Sequence, residues 1–150
     1  MLALVEVAGQ ARRLGVKKIL YYSTYRPLRE PPATCKRGKA GSHCRKQKRT
    51  YKKAQRSPSQ HRKALAIDIR WFVTDRGETI DVLEDFERRH HKFPCDTRTR
   101  TDKGRLLQQF ACGLHHSKTF NVMLTPNANS AHHNHFHFDI TPDASWYILR

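Results

Sequence analysis

The segment HHNHFHFDI, residues 132–140, places four histidines within six positions. It reads as a β-strand, in which side chains alternate faces, so His135 and His137 share one surface while Phe136 and Phe138 share the other. A second stretch, SQHRKALAIDI, sets His61 just before a strand and Asp68 within it. Together His61, Asp68 and His137 supply two imidazoles and a carboxylate, the donor set of a hydrolytic zinc ion that keeps one position open for water. Nitrogen and oxygen donors suit several divalent ions, and one Zn2+ per chain is the expectation for two histidines and an aspartate. Zinc lowers the pKa of its bound water toward ~7 and polarises an amide carbonyl. A neighbouring neutral imidazole, here His135, titrates in the range needed to take or relay the proton. Asp139 or backbone groups would orient the imidazoles.

Each stretch alone has a plainer reading. The histidine strand could be a half-exposed surface strand, and Asp68 could be an ordinary ion-pair partner for one of many arginines.

The order of the two stretches carries a resemblance. Ser59-Gln60-His61, then Ala66-Ile67-Asp68, then His135-Phe136-His137 resemble the S-x-H-x-x-G-x-A-x-D and H-x-H pair of the zinc D-alanyl-D-alanine peptidases. Within that superfamily, ACGLHHSKTFNVMLTPNANSAHHNHFHFDI is most similar to the bacterial extensin-like C-terminal domain family. The similarity spans roughly residues 18 to 140, and the paired motifs in order are more specific than either one. It implies that His61, Asp68 and His137 bind zinc, and that His135 sits beside the metal as general base or oxyanion donor. His132 is similar to a further active-site histidine of related murein endopeptidases. Arg26, in YSTYRP, resembles an arginine that holds a substrate carboxylate, and Ser59 would assist. The implied substrate is an amide bond in a peptidoglycan peptide, and the implied location is the cell envelope, periplasmic or secreted. The chain departs from the pattern at Ala64, where the motif has glycine, so a methyl group stands where glycine would allow an unusual φ or a close backbone approach. The basic insertion before Ser59 is the other departure.

These residues need elements to position them. The apolar residues Leu2, Leu4, Val5, Val7, Ala8, Ala11 and Leu14 recur at helical spacing, with Gly15 as a C-cap. KKILYYSTY reads as a strand ending at Arg26-Pro27; ALAIDIRWFV and ETIDVL read as a hairpin turning at Asp75-Arg76-Gly77. GRLLQQFACGLHH is helical apart from Gly113, with His115 and His116 at its cationic end, and FNVML leads through the turn-rich TPNANSA to the histidine strand. This order predicts an α+β domain, a small antiparallel sheet with flanking helices, and the resemblance implies that it is similar to the D-Ala-D-Ala metallopeptidases.

Length, 150 residues, fits one domain over the whole chain, expected to act as a monomer. The formal net charge of +16 draws the protein to polyanions. Twelve Lys or Arg and no Asp or Glu fall between residues 36 and 63, so about 28–58 is expected to be an exposed, mobile basic insertion. Peptidoglycan or another anionic wall polymer is the expected partner. Non-specific nucleic-acid binding fits the same charge, but Tyr51 is the one aromatic in the run, too few for a stacking platform. An alternative function is therefore a catalytically reduced, basic polyanion- or wall-binding module with a structural or vestigial metal. No stretch is long and apolar enough for a membrane-spanning helix, and the start lacks the order of a signal peptide, which suggests a mature domain or one whose true start lies upstream. The four cysteines allow two bridges, Cys35 with Cys44 and Cys95 with Cys112, or buried free thiols. His90-His91 read as solvated.

Overall fold

In the computed structural model, residues 2–28, 35, 41–56, 59–89 and 92–150 are described. Helix α1 (Leu2–Arg13) buries Val7, Gln10 and Ala11, the i, i+3, i+4 face that its periodicity requires. Leu2, Leu4 and Val5 stay exposed, so the core-facing stripe is narrower than the apolar pattern suggests. The helix ends at Gly15, whose φ of 70° is the left-handed turn glycine allows, and strand β1 (Val16–Ser23) follows at once.

The basic stretch is the first departure from expectation. Ser42–Arg56 forms a helix, α2, where a loop is predicted. Lys, Arg, Gln and Ala are good helix formers, and the half-buried residues Cys44, Gln47, Tyr51 and Ala54 fall on one side of it. A Cys35–Cys44 disulfide, with Cα atoms 5.3 Å apart, ties down its first turn. Arg45, Lys46, Lys48, Arg49, Lys52 and Lys53 are exposed, as their charge demands. The rest of the expected insertion, 29–34, 36–40 and 57–58, lies outside the described residues, as do His90 and His91.

Strand β2 (Ala66–Thr74) is the centre of a six-stranded sheet ordered β1-β2-β5-β4-β6, with β5 being Phe136–Asp139, β4 Val122–Leu124 and β6 Ile148–Leu149. The hairpin partner of β2, β3 (Thr79–Asp81), also pairs with it. That strand is shorter than ETIDVL predicts, because Asp81 caps a single helical turn, α3 (Val82–Asp85), by accepting from the Leu83 N–H at 2.9 Å. Every pairing is antiparallel except β4 with β6, which is parallel. The buried Asn121 amide makes that exception possible: it donates to the Trp146 carbonyl at 3.0 Å and accepts from the Thr141 N–H at 2.9 Å, laying the last strand alongside β4. The domain is thus α+β, with one small mixed sheet and helices against it.

One face of the sheet carries the core. Ile67, Ile69, Phe136 and Phe138 are buried there against helix α4 (Asp102–His116), with Phe110 stacked 6.4 Å from Phe136. A register shift between Leu20 and Tyr21 of β1 leaves Arg70 of β2 as an extra residue, so Phe72 rejoins the core face beside Phe110. The Cys95–Cys112 disulfide joins α4 to the preceding loop. Gly113, the misfit in that helix's pattern, lies where α1 crosses: a Cβ there would collide with Gln10, whose amide donates to the Gln109 carbonyl at 3.0 Å.

Ala64 ends the 3-10 turn Gln60–Lys63 with φ 57° and ψ 29°, in the left-handed region. A methyl group there costs about 1–2 kcal/mol, partly offset by the greater freedom glycine has when unfolded. Ala64→Gly should therefore stabilise the protein by about 0.5–1 kcal/mol, raising its melting temperature by about 1–4 °C. A thermal melt that does not move, or falls, would contradict this account of the turn.

Candidate functional site

Strand register assembles the site. Asp68 of β2 lies directly opposite His137 of β5 and Ser23 of β1, so one row across the sheet carries a hydroxyl, a carboxylate and an imidazole on the face away from the phenylalanines. The 3-10 turn adds His61 just before β2, and its carbonyl accepts from the Arg26 N–H at 3.2 Å, closing the end of β1 onto the same spot.

Three ligand atoms converge there. Asp68 Oδ1 is 2.9 Å from His137 Nδ1 and 3.2 Å from His61 Nε2, and the two nitrogens are 3.1 Å apart. A tetrahedral ion with ordinary bond lengths sets its ligand atoms ~3.3 Å apart, so the triangle is nearly the right size for one face of such a shell. The opposite edge of each ring is already occupied. His61 Nδ1 lies 3.0 Å from the Thr24 carbonyl, and His137 Nε2 lies 3.1 Å from Asp139 Oδ2. A ring N–H donated to each of these oxygens would turn the lone pair of the other nitrogen toward Asp68. In that tautomer two lone pairs and a carboxylate oxygen converge on one point, an arrangement a cation would satisfy. His61, Asp68 and His137 are a group that could hold a metal ion.

Burial acts in the same direction. It lowers the His61 pKa, as do the nearby Arg26 and His137 charges, although the Thr24 bond opposes them. A neutral imidazole needs no proton displaced before it ligates.

The remaining expected residues reach the same pocket, an open cavity of about 630 Å³ lined by Arg26, Ser59, His132 and His135 together with the three possible ligands. His135 Nδ1 lies 2.8 Å from Asn134 Oδ1, and its Nε2 lies 3.5 Å from Asp68 Oδ1. Burial first, then the neighbouring His132, His137 and Arg26, bring the His135 pKa down to about 4. His132, held at 2.8 Å by Asn129 Oδ1, stacks at a tilt 5.2 Å from His135, and burial lowers its pKa too. Arg26 donates to Ser23 Oγ at 2.6 Å and to Asp68 Oδ2, so its guanidinium bonds the carboxylate from the side opposite the imidazoles while remaining about half exposed. Ser59 sits exposed at the rim.

Sequence reading missed the groups that hold these side chains. Ser23 and Tyr22 lie in the same YSTYR segment as Arg26, so their proximity was available; Tyr22 meets His135 edge-on at 5.2 Å. Asn129 lies in a stretch read only as a turn, and Asn134 sits among the histidines of the stretch read as a strand. The Thr24 contact is a backbone carbonyl and has no side-chain signature.

No curated protein and no solved structure matches the chain. A family model described as Extensin-like protein C-terminus matches residues 37–150, a span that holds His61, Asp68, His132, His135, His137 and Asp139 and leaves Ser23, Thr24 and Arg26 before it. On that match, over most of its length, the chain belongs to the extensin-like protein C-terminus family.

Proposed function

We propose that the protein is a zinc-dependent hydrolase of the metallopeptidase type, akin to the zinc D-alanyl-D-alanine peptidases, that cleaves amide bonds in peptidoglycan peptides. The observation that carries this reading is the triangle of Asp68 Oδ1, His61 Nε2 and His137 Nδ1, with both rings tied from behind by oxygen acceptors. One zinc would be held by these three residues, and when bound it supplies a Lewis acid for the amide carbonyl and water acidified toward neutrality. His135, oriented through Nδ1 by Asn134, offers Nε2 as proton acceptor, a weaker base than the free imidazole expected from sequence because its pKa is brought down to about 4, and His132 stands next to it for relay. Arg26 uses part of its fork on Ser23 and Asp68; its half-exposed remainder can face a substrate carboxylate, with Ser59 at the rim. The two disulfides support an envelope or secreted location, where oxidising conditions keep them. No helix among the described residues is long and apolar enough to cross a membrane.

A second reading, a basic polyanion- or wall-binding module with a structural metal, is favoured by one observation, the exposed cationic side of α2. The two readings separate on mutation. In the hydrolase, His137→Ala abolishes cleavage and spares polyanion binding. In the module, replacing Lys46, Lys48, Lys52 and Lys53 with Gln removes the function, and His137→Ala does not.

Purified protein should carry about one zinc per chain, absent from His61→Ala. Incubation with peptidoglycan should release fragments with new peptide termini, identified by mass spectrometry. Stoichiometric zinc without cleavage moves the weight to the second reading, and metal in neither protein removes the zinc site. Asp139→Ala should weaken zinc about 10–100-fold in a chelator competition, because His137 then loses the partner that sets its tautomer. An unchanged affinity would show that Asp139 does not orient the ring.

A further inference from the structure

A second concavity shares no lining residue with the histidine pocket. It is an open cavity of about 900 Å³ formed by residues 97–100 and the first half of α4, lined by Thr97, Arg98, Thr99, Arg100, Arg105 and Gln108 among others. Arg98, Arg100 and Arg105 are exposed, and no carboxylate is among the described residues that line the cavity. Two acids lie nearby: Asp102 accepts from Arg105 at 2.8 Å, and Glu87 bonds the loop from behind. Three guanidinium groups around one hollow repel one another, and a free loop would relax to separate them.

This loop is not free. The Cys95–Cys112 bridge ties its start to α4. The Gln108 amide donates to the carbonyls of Pro94 and Thr97, both at 2.5 Å, and to the Thr97 hydroxyl at 3.0 Å. From behind, Glu87 Oε1 accepts the N–H groups of Arg100 at 2.7 Å and Thr101 at 2.8 Å. Glu87 Oε1 is thus used on the loop backbone, so Arg98 and Arg100 face the hollow and Arg105 is shared between it and Asp102. Glu87 accepts so well that these bonds, led by the Thr101 N–H, lower its pKa.

We propose that this pocket binds an oligoanion, a ligand carrying two or more phosphate or carboxylate groups, through Arg98, Arg100 and Arg105. A planar guanidinium pairs with either group through two parallel hydrogen bonds, and the threonine hydroxyls and glutamine amides around it suit a polar ligand. A hollow of this volume is in the range that holds a small molecule or a polymer segment, wider than one anionic group needs. The site goes beyond the proposed hydrolase and does not depend on it.

The high net charge requires a charge-matched control. Calorimetric titration of the full chain with tripolyphosphate, and separately with citrate, should give one saturable site. The Arg98→Gln/Arg100→Gln variant should weaken it about tenfold or more. Lys46→Gln/Lys52→Gln, which removes the same charge from α2, should leave it within about twofold, since no residue of α2 lines the cavity and exposed charges that make no contact with the ligand are screened by salt. Arg105→Gln, which touches no loop-pinning bond, should also weaken binding, and a thermal melt checks that each variant folds. Preference for tripolyphosphate or for citrate supports the pocket and decides which anion it takes. Equal weakening by both charge-matched variants, an unaffected double-arginine variant, or no binding by the wild type overturns the proposal.

Discussion

Asp68 has no solvent exposure, yet it lies on the polar face of the sheet. A buried carboxylate is costly unless its oxygens are matched by positive charge or donors, and removing one partner leaves the penalty uncompensated. Asp68 divides the task. One oxygen meets Arg26, and the other faces His137, His61 and His135 at 2.9, 3.2 and 3.5 Å. These partners come from the end of β1, the turn before β2, and β5 with the residue before it. The central strand can occupy its place only when those segments arrive with it, so satisfying this carboxylate also fixes the order of the strands around it.

The other face makes that convergence rigid. Phe136 and Phe138 flank His137 in sequence and point away from it, into buried contacts with Phe86, Phe110 and Phe120. Sliding β5 by one residue would turn the phenylalanines toward the pocket and the histidine into the core. The apolar burial of two rings therefore determines which way His137 faces. The extra residue at Arg70 serves the same end, because it lets β2 present Asp68 to the polar side and still return Phe72 to the core.

Much of this was legible in residue pattern. Alternation placed His137 opposite Phe136 and Phe138, although the strand is only Phe136–Asp139 and the histidines before it lie in a 3-10 turn and bend; the hairpin around Gly77 followed from turn chemistry, and the donor types of His61 and Asp68 matched that of His137. The motif's glycine position, occupied by Ala64, does take a left-handed φ. What escaped depends on distant pieces of chain. The parallel pairing of β6 rests on a buried asparagine clamping a remote segment, and Gly113 makes sense only when α1 crosses it. The basic run read as a loop because charge repulsion was weighed above helix propensity and the local disulfide. The orienting groups were the least visible, since a main-chain carbonyl at Thr24 looks like any other.

Arg26 is where the site's electrostatics and its proposed substrate chemistry meet. The guanidinium and the ring nitrogens compete for one carboxylate, and a cation held by His61, Asp68 and His137 would repel Arg26 while drawing electron density from the oxygen it contacts. On the proposed reading, metal loading therefore loosens Arg26 from Asp68. Ser23 still holds its Nε at 2.6 Å, so the group would pivot and stay in the pocket, with more of its fork available to an incoming carboxylate. On that reading, the pairing with Asp68 and contact with a substrate carboxylate would be alternative uses of one guanidinium.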